Sequence, residues 1–325
     1  MTPQEEQTIR QWAARNPSPH PIGLSRGDGA ADQQIAAFCD RFKELVPGAI
    51  VRNAPETAFR KPAMLIGRYG NIAYQAVPEE KELLPFLEML QSSAADRDVF
   101  PATLRQEASA IDLPADLTLY IAMQCPHCPG AVRQLTALGN AAERLRISVV
   151  DGILFESQAK AHAIRSVPTL ILDDDLRWNG QIDIQEVIRQ CIQRDPAKLS
   201  VASLRQLLET GEAPRAADLM IARNELFPAL IDLIADERWS VRLGAMVTAE
   251  YLTDQSPTLA ARLLKPLSER FARLAEPVQG DVVHVLGQIR SDATAAFLKS
   301  VANGPYAESV REAAAEALEE DDPAG

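Results

Sequence analysis

Apolar residues along the chain follow two spacings, one of strands and one of helices, and the switch between them marks the elements. Leu117 to Met123 reads as a mostly apolar strand, and from Gly130 to Leu138 the spacing turns helical through Val132, Leu135 and Leu138. A strand at Leu145 to Val150, a helix at Glu156 to Ile164, a strand at Thr169 to Asp173 and a helix at Ile184 to Ile192 follow, with a short strand near Trp178. The order is β-α-β-α-β-α. Upstream, Ile35, Phe38, Cys39, Phe42, Leu45 and Val46 share one face of a helix over Asp32 to Val46, Ala63 to Gly67 with Asn71 to Gln75 resembles a hairpin, and Leu83 to Leu90 closes the unit with a helix. The polar run Gln91 to Asp98, followed by Pro101, reads as a connection into the next unit, with the boundary near Pro114.

After Pro196 strands vanish and helical segments recur in pairs. Leu226 to Asp236 pairs with Val241 to Leu252, Leu259 to Leu274 with Val278 to Ile289, and Ala293 to Val301 with Ser309 to Leu318. The second helix of each pair opens at Val241, Val278 or Val310, spacings of 37 and 32 residues, and two of the three continue Val-Arg and reach Ala245 or Ala314 on the same face. This resembles HEAT-type repeats, a solenoid in which each pair covers the apolar face of its neighbour. The acidic run Glu319 to Asp322 reads as solvated charge after a helix.

With 325 residues the chain exceeds one ordinary core, and 46% hydrophobic with 24% charged residues is a globular balance. A formal charge of -12 opposes a phosphate backbone, so nucleic acid is not expected as a partner. Met1 to Trp12 is polar and acidic, unlike a secretory signal, and no apolar run is long enough for a bilayer, so no membrane association is expected. Four cysteines are too few for a disulfide scaffold, which points to a reducing, cytoplasmic setting with one special pair.

That pair lies in Cys125-Pro126-His127-Cys128, at the junction of the strand and the helix. A thiolate attacks a disulfide, and two intervening residues leave a second sulfur able to resolve the mixed disulfide. Free backbone NH groups and the dipole at a helix N-terminus favour an anion, which can bring a cysteine pKa from roughly 8.5 to between about 3.5 and 7. Cys125 is therefore the expected nucleophile and Cys128 the resolving thiol. His127 either adds a donor and, when protonated, a positive charge near the thiolate, or is an inert turn residue; Pro126 fixes the turn. A stabilised reduced form makes the disulfide more oxidising. Ser166-Val167-Pro168-Thr169 opens a strand about forty residues further on, where thioredoxin-type folds place a cis-proline. Val167 would turn its backbone toward Cys125 and pair with an incoming peptide strand. A structural zinc site needs two more ligands at matching spacing, and Cys39, Cys191, His20, His162 and His284 are scattered. Cys39 beside Phe42 and Cys191 beside Ile188 fit as small hydrophobes in cores. The pattern favours redox chemistry, with no metal and no cofactor besides the disulfide.

Residues 1 to about 195 resemble the N-terminal tandem-thioredoxin domain of the alkyl hydroperoxide reductase flavoprotein subunit, and more distantly the archaeal protein disulfide oxidoreductases. The resemblance rests on Cys125-Pro126-His127-Cys128-Pro129, Val150-Asp151-Gly152, Val167-Pro168, Gly180 and Arg60-Lys61-Pro62. It implies an α/β tandem of thioredoxin folds, residues 1–113 as a thioredoxin-like fold lacking Cys-X-X-Cys, with Pro62 a relict cis-proline, and 114–196 as the fold with the active pair; the helical repeats at 197–325 complete the expected architecture as an all-α HEAT-like solenoid, where the family has other domains. It also implies an acidic side chain from the first half beside the disulfide. Glu82 falls at the matching place, either as proton acceptor for Cys128 or as an exposed glutamate at a helix start. No GxGxxG follows a strand, so FAD- and NADH-binding domains are not expected, and a separate reductase must supply electrons. The resemblance implies a peroxiredoxin-like acceptor. Three readings follow: a dithiol-disulfide relay acting on protein thiols and disulfides, with the helices recruiting a protein partner; a redox-switched adaptor that binds a partner on its repeats without turnover; and an isomerase or holdase.

Overall fold

The computed structural model describes residues 1–54, 57, 59–94 and 100–319. The chain divides into two compact units, Met1–Arg194 and Asp195–Gly325.

In the first unit, α1 (Pro3–Arg15) precedes two runs of elements with one plan. The first run is β1 (His20–Ser25), α2 (Ala30–Leu45), β2 (Ala49–Asn53), β3 (Ala63–Ile66), β4 (Ile72–Gln75), a 3-10 turn at Glu80–Glu82 and α3 (Leu83–Ala94). After α4 (Ala102–Ala108), the second is β5 (Ala115–Ile121), α5 (Cys128–Ala141), β6 (Leu145–Asp151), α6 (Glu156–Ala161), β7 (Thr169–Leu172), β8 (Leu176–Asn179) and α7 (Ile184–Gln193). One eight-stranded sheet holds them in the order β2-β1-β3-β4-β6-β5-β7-β8. Within each half the strands run second, first, third, fourth, and the halves join edge to edge through the parallel pair β4 and β6, from Ile72 opposite Ile147 to Gln75 opposite Val150.

Asn71 locks that seam. Its Nδ2 donates to the carbonyls of Gly139 (2.9 Å) and Leu145 (2.8 Å), and its own carbonyl accepts from the Ile147 N–H at 2.9 Å. An apolar core runs the length of one sheet face, with Ile35, Phe38, Phe42 and Phe86 under the first half and Leu117, Leu119, Leu135 and Ile147 under the second. A smaller cluster of Tyr120, Val150, Ala159 and Ile171 lies beneath α6.

Several boundaries depart from the apolar pattern. β5 stops at Ile121 because the Cys125 N–H turns back to the Ala122 carbonyl at 3.0 Å. α6 ends before Ile164 because Ala163 takes a left-handed φ of 51°. β7 ends before Asp173, since Asp173 and Asp174 both have positive φ, as a tight hairpin turn requires. Gln91 to Ala94 are the last turn of α3, not connection; the rest of that run to Asp98, and the acidic run beyond Glu319, lie outside the described residues.

The second unit has no strand among the described residues. α8 (Val201–Glu209) and α9 (Ala213–Arg223) precede α10 (Pro228–Ile234), α11 (Trp239–Gln255), α12 (Pro257–Ala260), α13 (Leu264–Phe271), α14 (Glu276–Gly287), α15 (Asp292–Ala302) and α16 (Glu308–Glu319). The expected helix from Leu259 to Leu274 is instead broken by a 3-10 segment at Ala261–Leu263. Pro266 has no N–H to offer the preceding turn, so a regular helix is interrupted there. Polar contacts recur between helices at similar separations: Arg262 to the Asn224 carbonyl and Arg270 to Asp232, both 38 residues apart, Arg242 to Asp281, 39 apart, and Ser309 to Glu276, 33 apart.

Arg242 is the most enclosed of these, with a side chain 3% exposed, Nε at 2.6 Å from Asp281 and Nη1 on the carbonyls of Asp236 and Glu237. Arg242→Met leaves a carboxylate and two carbonyls without their donor. A loss of about 2–4 kcal/mol in urea unfolding of the helical unit is expected. A loss below about 0.5 kcal/mol, the ordinary surface value, contradicts this.

Candidate active site

The site forms where β5 hands over to α5. Ala122 to Gln124 leave the sheet, Cys125 turns back on Ala122, His127 is the N-cap of α5 and Cys128 its first residue. Pro129 sits in the first helical turn, where an absent N–H costs nothing. The Cys128 N–H that a helix start leaves free donates to Cys125 Sγ at 3.2 Å, and that sulfur lies 3.7 Å from the Val167 carbonyl. Val167-Pro168 is cis. Its loop is held by the Gly180 N–H on the Pro168 carbonyl (2.8 Å) and by the Thr169 hydroxyl between the Ser166 carbonyl and Asn179. Gly180 has a φ of +77°, which explains glycine at that motif position.

The two sulfurs differ in environment. Cys125 is half-buried and the exposed Pro126 and His127 flank it, whereas Cys128 is fully buried. The His127 side chain makes no capping hydrogen bond. Burial, then the contact with Cys125 and the nearby charges of Cys125 and Glu82, push the Cys128 thiol far above the ordinary range; an Ala122 backbone hydrogen bond offsets part of this. Cys128 therefore needs a proton acceptor to become a nucleophile.

Glu82 is buried, not an exposed glutamate at a helix start: its relative exposure is 0%. The Tyr74 hydroxyl donates to Oε2 at 3.5 Å, and Oε1 has no hydrogen-bond partner among the described residues. Burial lifts its pKa to about 7, with Tyr74 and Arg133 pulling it down and Asp151 pushing it up. Tyr74 is itself packed edge-on against Phe86, ring centroids 5.3 Å apart, so the hydroxyl comes from a rigid ring. Asp151, at the end of β6, is 7% exposed and accepts the Ile153 N–H at 2.8 Å. The first half thus delivers a carboxyl whose pKa burial raises toward neutrality into the surroundings of Cys128.

The matching place in the first half is closed. Lys61-Pro62 is also cis, but the loop from β1 to α2 carries Arg26, Gly27, Asp28 and Gly29 in place of sulfurs. A Cβ on Gly27 would stand 3.0 Å from Pro62 N and 3.2 Å from Lys61 C, so backbone packs on backbone where the second half sets Cys125 beside Val167. Arg26 and Asp32 seal the helix start with three side-chain hydrogen bonds of 2.9, 3.0 and 2.5 Å.

Among the described residues no three His, Cys, Asp or Glu side chains are grouped to hold a metal ion. No described helix is long and apolar enough to cross a membrane. Beyond Asn179 the described residues contain no strand.

A thioredoxin domain family matches residues 116–193. The chain is similar to the F subunit of alkyl hydroperoxide reductase from Pseudomonas aeruginosa, 22% identical over 243 residues, covering 73% of this chain and 45% of that protein. It is similar to the corresponding protein of Xanthomonas campestris pv. phaseoli, 22% identical over 66% of this chain and 42% of that protein. The chain thus spans about half the length of the curated relatives it matches. Among solved structures, the N-terminal domain of the alkyl hydroperoxide reductase from Enterococcus faecalis superposes with a TM-score of 0.51 at 15% identity, over 59% of this chain and 99% of that one. A protein disulfide oxidoreductase from Aeropyrum pernix gives 0.51 at 15% identity, over 62% and 96%. The fold is a thioredoxin-like α/β sheet domain followed by a helix-rich region.

The structure brings Cys125, Cys128, Pro126, His127, Val167, Pro168 and Glu82 to one end of the sheet. Tyr74 and Lys81 escape sequence reasoning: Tyr74 reads as an ordinary strand residue, and Lys81 is masked by the glutamates around it. Cys39 and Cys191 are buried in the core, as expected of small hydrophobes.

The raised folded pKa of Glu82 sets a stability window. The folded state binds a proton more tightly than the unfolded chain, whose glutamate titrates near 4.5, so stability falls as pH rises from about 4.5 to about 7. Glu82→Gln removes this slope and is expected to be about 3 kcal/mol more stable than the wild type at pH 8 in urea unfolding of the reduced protein. Parallel stability profiles for the two proteins contradict the burial of a titrating carboxyl.

Proposed function

We propose that this chain is a thiol-disulfide oxidoreductase working through Cys125 and Cys128. The observation that carries it is the pairing at Cys125: one sulfur receiving a helix-start N–H and lying beside the Val167 carbonyl, with a buried thiol three residues on. In the reducing direction the Cys125 thiolate attacks a substrate disulfide, forms a mixed disulfide and expels one substrate thiolate, which takes a proton from solvent. Cys128 then passes its proton to Glu82 and attacks Cys125 Sγ. The second substrate thiolate leaves, and two electrons have moved to the substrate while Cys125 and Cys128 become a disulfide. A separate protein reductase returns the electrons. The Val167-Pro168 edge presents backbone to the substrate strand, and His127 and Pro126 favour the reduced form.

In this reading residues 1–113 are a thioredoxin-like half lacking Cys-X-X-Cys, 114–196 the half with the dithiol, and 197–325 a HEAT-like region that recruits a protein partner. The resemblance to the F subunit of alkyl hydroperoxide reductase supports a peroxiredoxin-like acceptor, and the reducing cytoplasm is the compartment that suits the couple. A second reading, a redox-switched adaptor without turnover, draws on the exposed Trp239, Leu243 and Tyr251, which fall four and eight residues apart along α11.

Turnover with dithiothreitol and a protein disulfide separates the two. Cys125→Ser is expected to abolish it, and Cys128→Ser to accumulate a mixed disulfide through Cys125. Glu82→Gln is expected to slow turnover by about tenfold or more and to flatten its pH dependence near 7. Binding that changes with redox state while wild-type turnover stays at background supports the adaptor instead.

A further inference from the structure

The first half grips α5 along its length. Near the helix end Asn71 bonds the Gly139 carbonyl, and Asn140 meets Ser92 (3.2 Å) and the Arg68 N–H (2.9 Å). Nearer the start Arg133 pairs with Glu88 across α3. Beyond the start, Lys81 Nζ donates to the Gln124 carbonyl at 2.8 Å, one peptide unit before Cys125.

Lys81 comes from the same 3-10 turn as Glu82, and the geometry of that turn assigns them different depths. Glu80 has a left-handed φ of 49°, its N–H is held by Glu5 of α1 at 2.8 Å, and the Glu82 N–H closes on the Glu79 carbonyl at 3.0 Å. The turn leaves Lys81 exposed and tied to the nucleophile loop, with Glu82 buried beside Cys128.

We propose that Lys81 is a positioning residue for the redox centre: its ammonium, bonded to the Gln124 carbonyl, fixes the loop that carries Cys125 and sets a positive charge one peptide unit from it. This rests on the dithiol-disulfide reading and deepens it, because the first half then tunes the nucleophile through Lys81 as well as the resolving thiol through Glu82. A fixed cation there favours the thiolate, hence the reduced form, so removing it shifts the couple toward the disulfide.

The test is the thiol-disulfide equilibrium of the full chain with glutathione at pH 7, read by trapping free thiols. Lys81→Met is expected to shift the constant about threefold toward the disulfide at low salt, the size of an exposed electrostatic contact. Lys81→Gln, which also removes the charge, moves in the same direction. Lys81→Arg restores the wild-type value, and added salt shrinks the difference. A role in stability alone predicts neither the rescue nor the salt response. Equal constants for wild type and Lys81→Met at low salt overturn the proposal while leaving the dithiol reading intact. A wild type that forms no Cys125–Cys128 disulfide overturns both.

Discussion

The candidate site depends on the parallel pairing of β4 with β6. That seam turns two four-stranded halves into one sheet and brings the segment after β4 level with those after β5 and β6. The turn at residues 79–82, the loop at 122–128 and the Asp151 bend then crowd one end of the sheet, with the Val167-Pro168 edge beside them. Asn71 holds the register by satisfying two carbonyls that the join would otherwise bury without donors. A slip of one residue would reverse the faces of β4, exchange Tyr74 for a neighbour and remove the hydroxyl from Glu82.

A buried carboxyl with one oxygen unpartnered among the described residues is costly. Its surroundings make sense as chemistry. Cys128 is held protonated by burial and needs an acceptor whose own affinity for protons lies near neutrality, and a desolvated glutamate opposed by Asp151 has that property. The first half thus carries no Cys-X-X-Cys pair and no open slot of its own, with Gly27 packed on Pro62, yet supplies a carboxyl near Cys128, whereas the one carboxyl of β5, Asp116, lies at the far end of that strand.

The dithiol and its cis-proline partner are legible in the sequence because their chemistry is local: two cysteines at a strand-to-helix switch and Val167-Pro168 at the next strand start. The family resemblance carries Glu82 to its place, but its burial is not legible, since depth there is set by a left-handed residue at Glu80 and a strand seam that joins Ile72 to Ile147, far apart in the chain. β1 escapes the apolar pattern because Pro21 and Gly23 interrupt it, and β2 because an edge strand buries little of its length. α1 buries little beyond Ile9 among charged residues, too weak a stripe to read. The helix pairs after Pro196 are legible from their apolar faces, while α8 and α9 carry no such valine-led repeat.

The central claim is that Cys125 and Cys128 form one reversible couple. Peptide mapping of the full chain after equilibration across glutathione redox buffers tests it directly. The account predicts a single two-electron transition in which a Cys125–Cys128 disulfide appears while Cys39 and Cys191 remain free thiols. Oxidation that leaves Cys128 free, by glutathione capping Cys125 or by pairing Cys125 between chains, would contradict it.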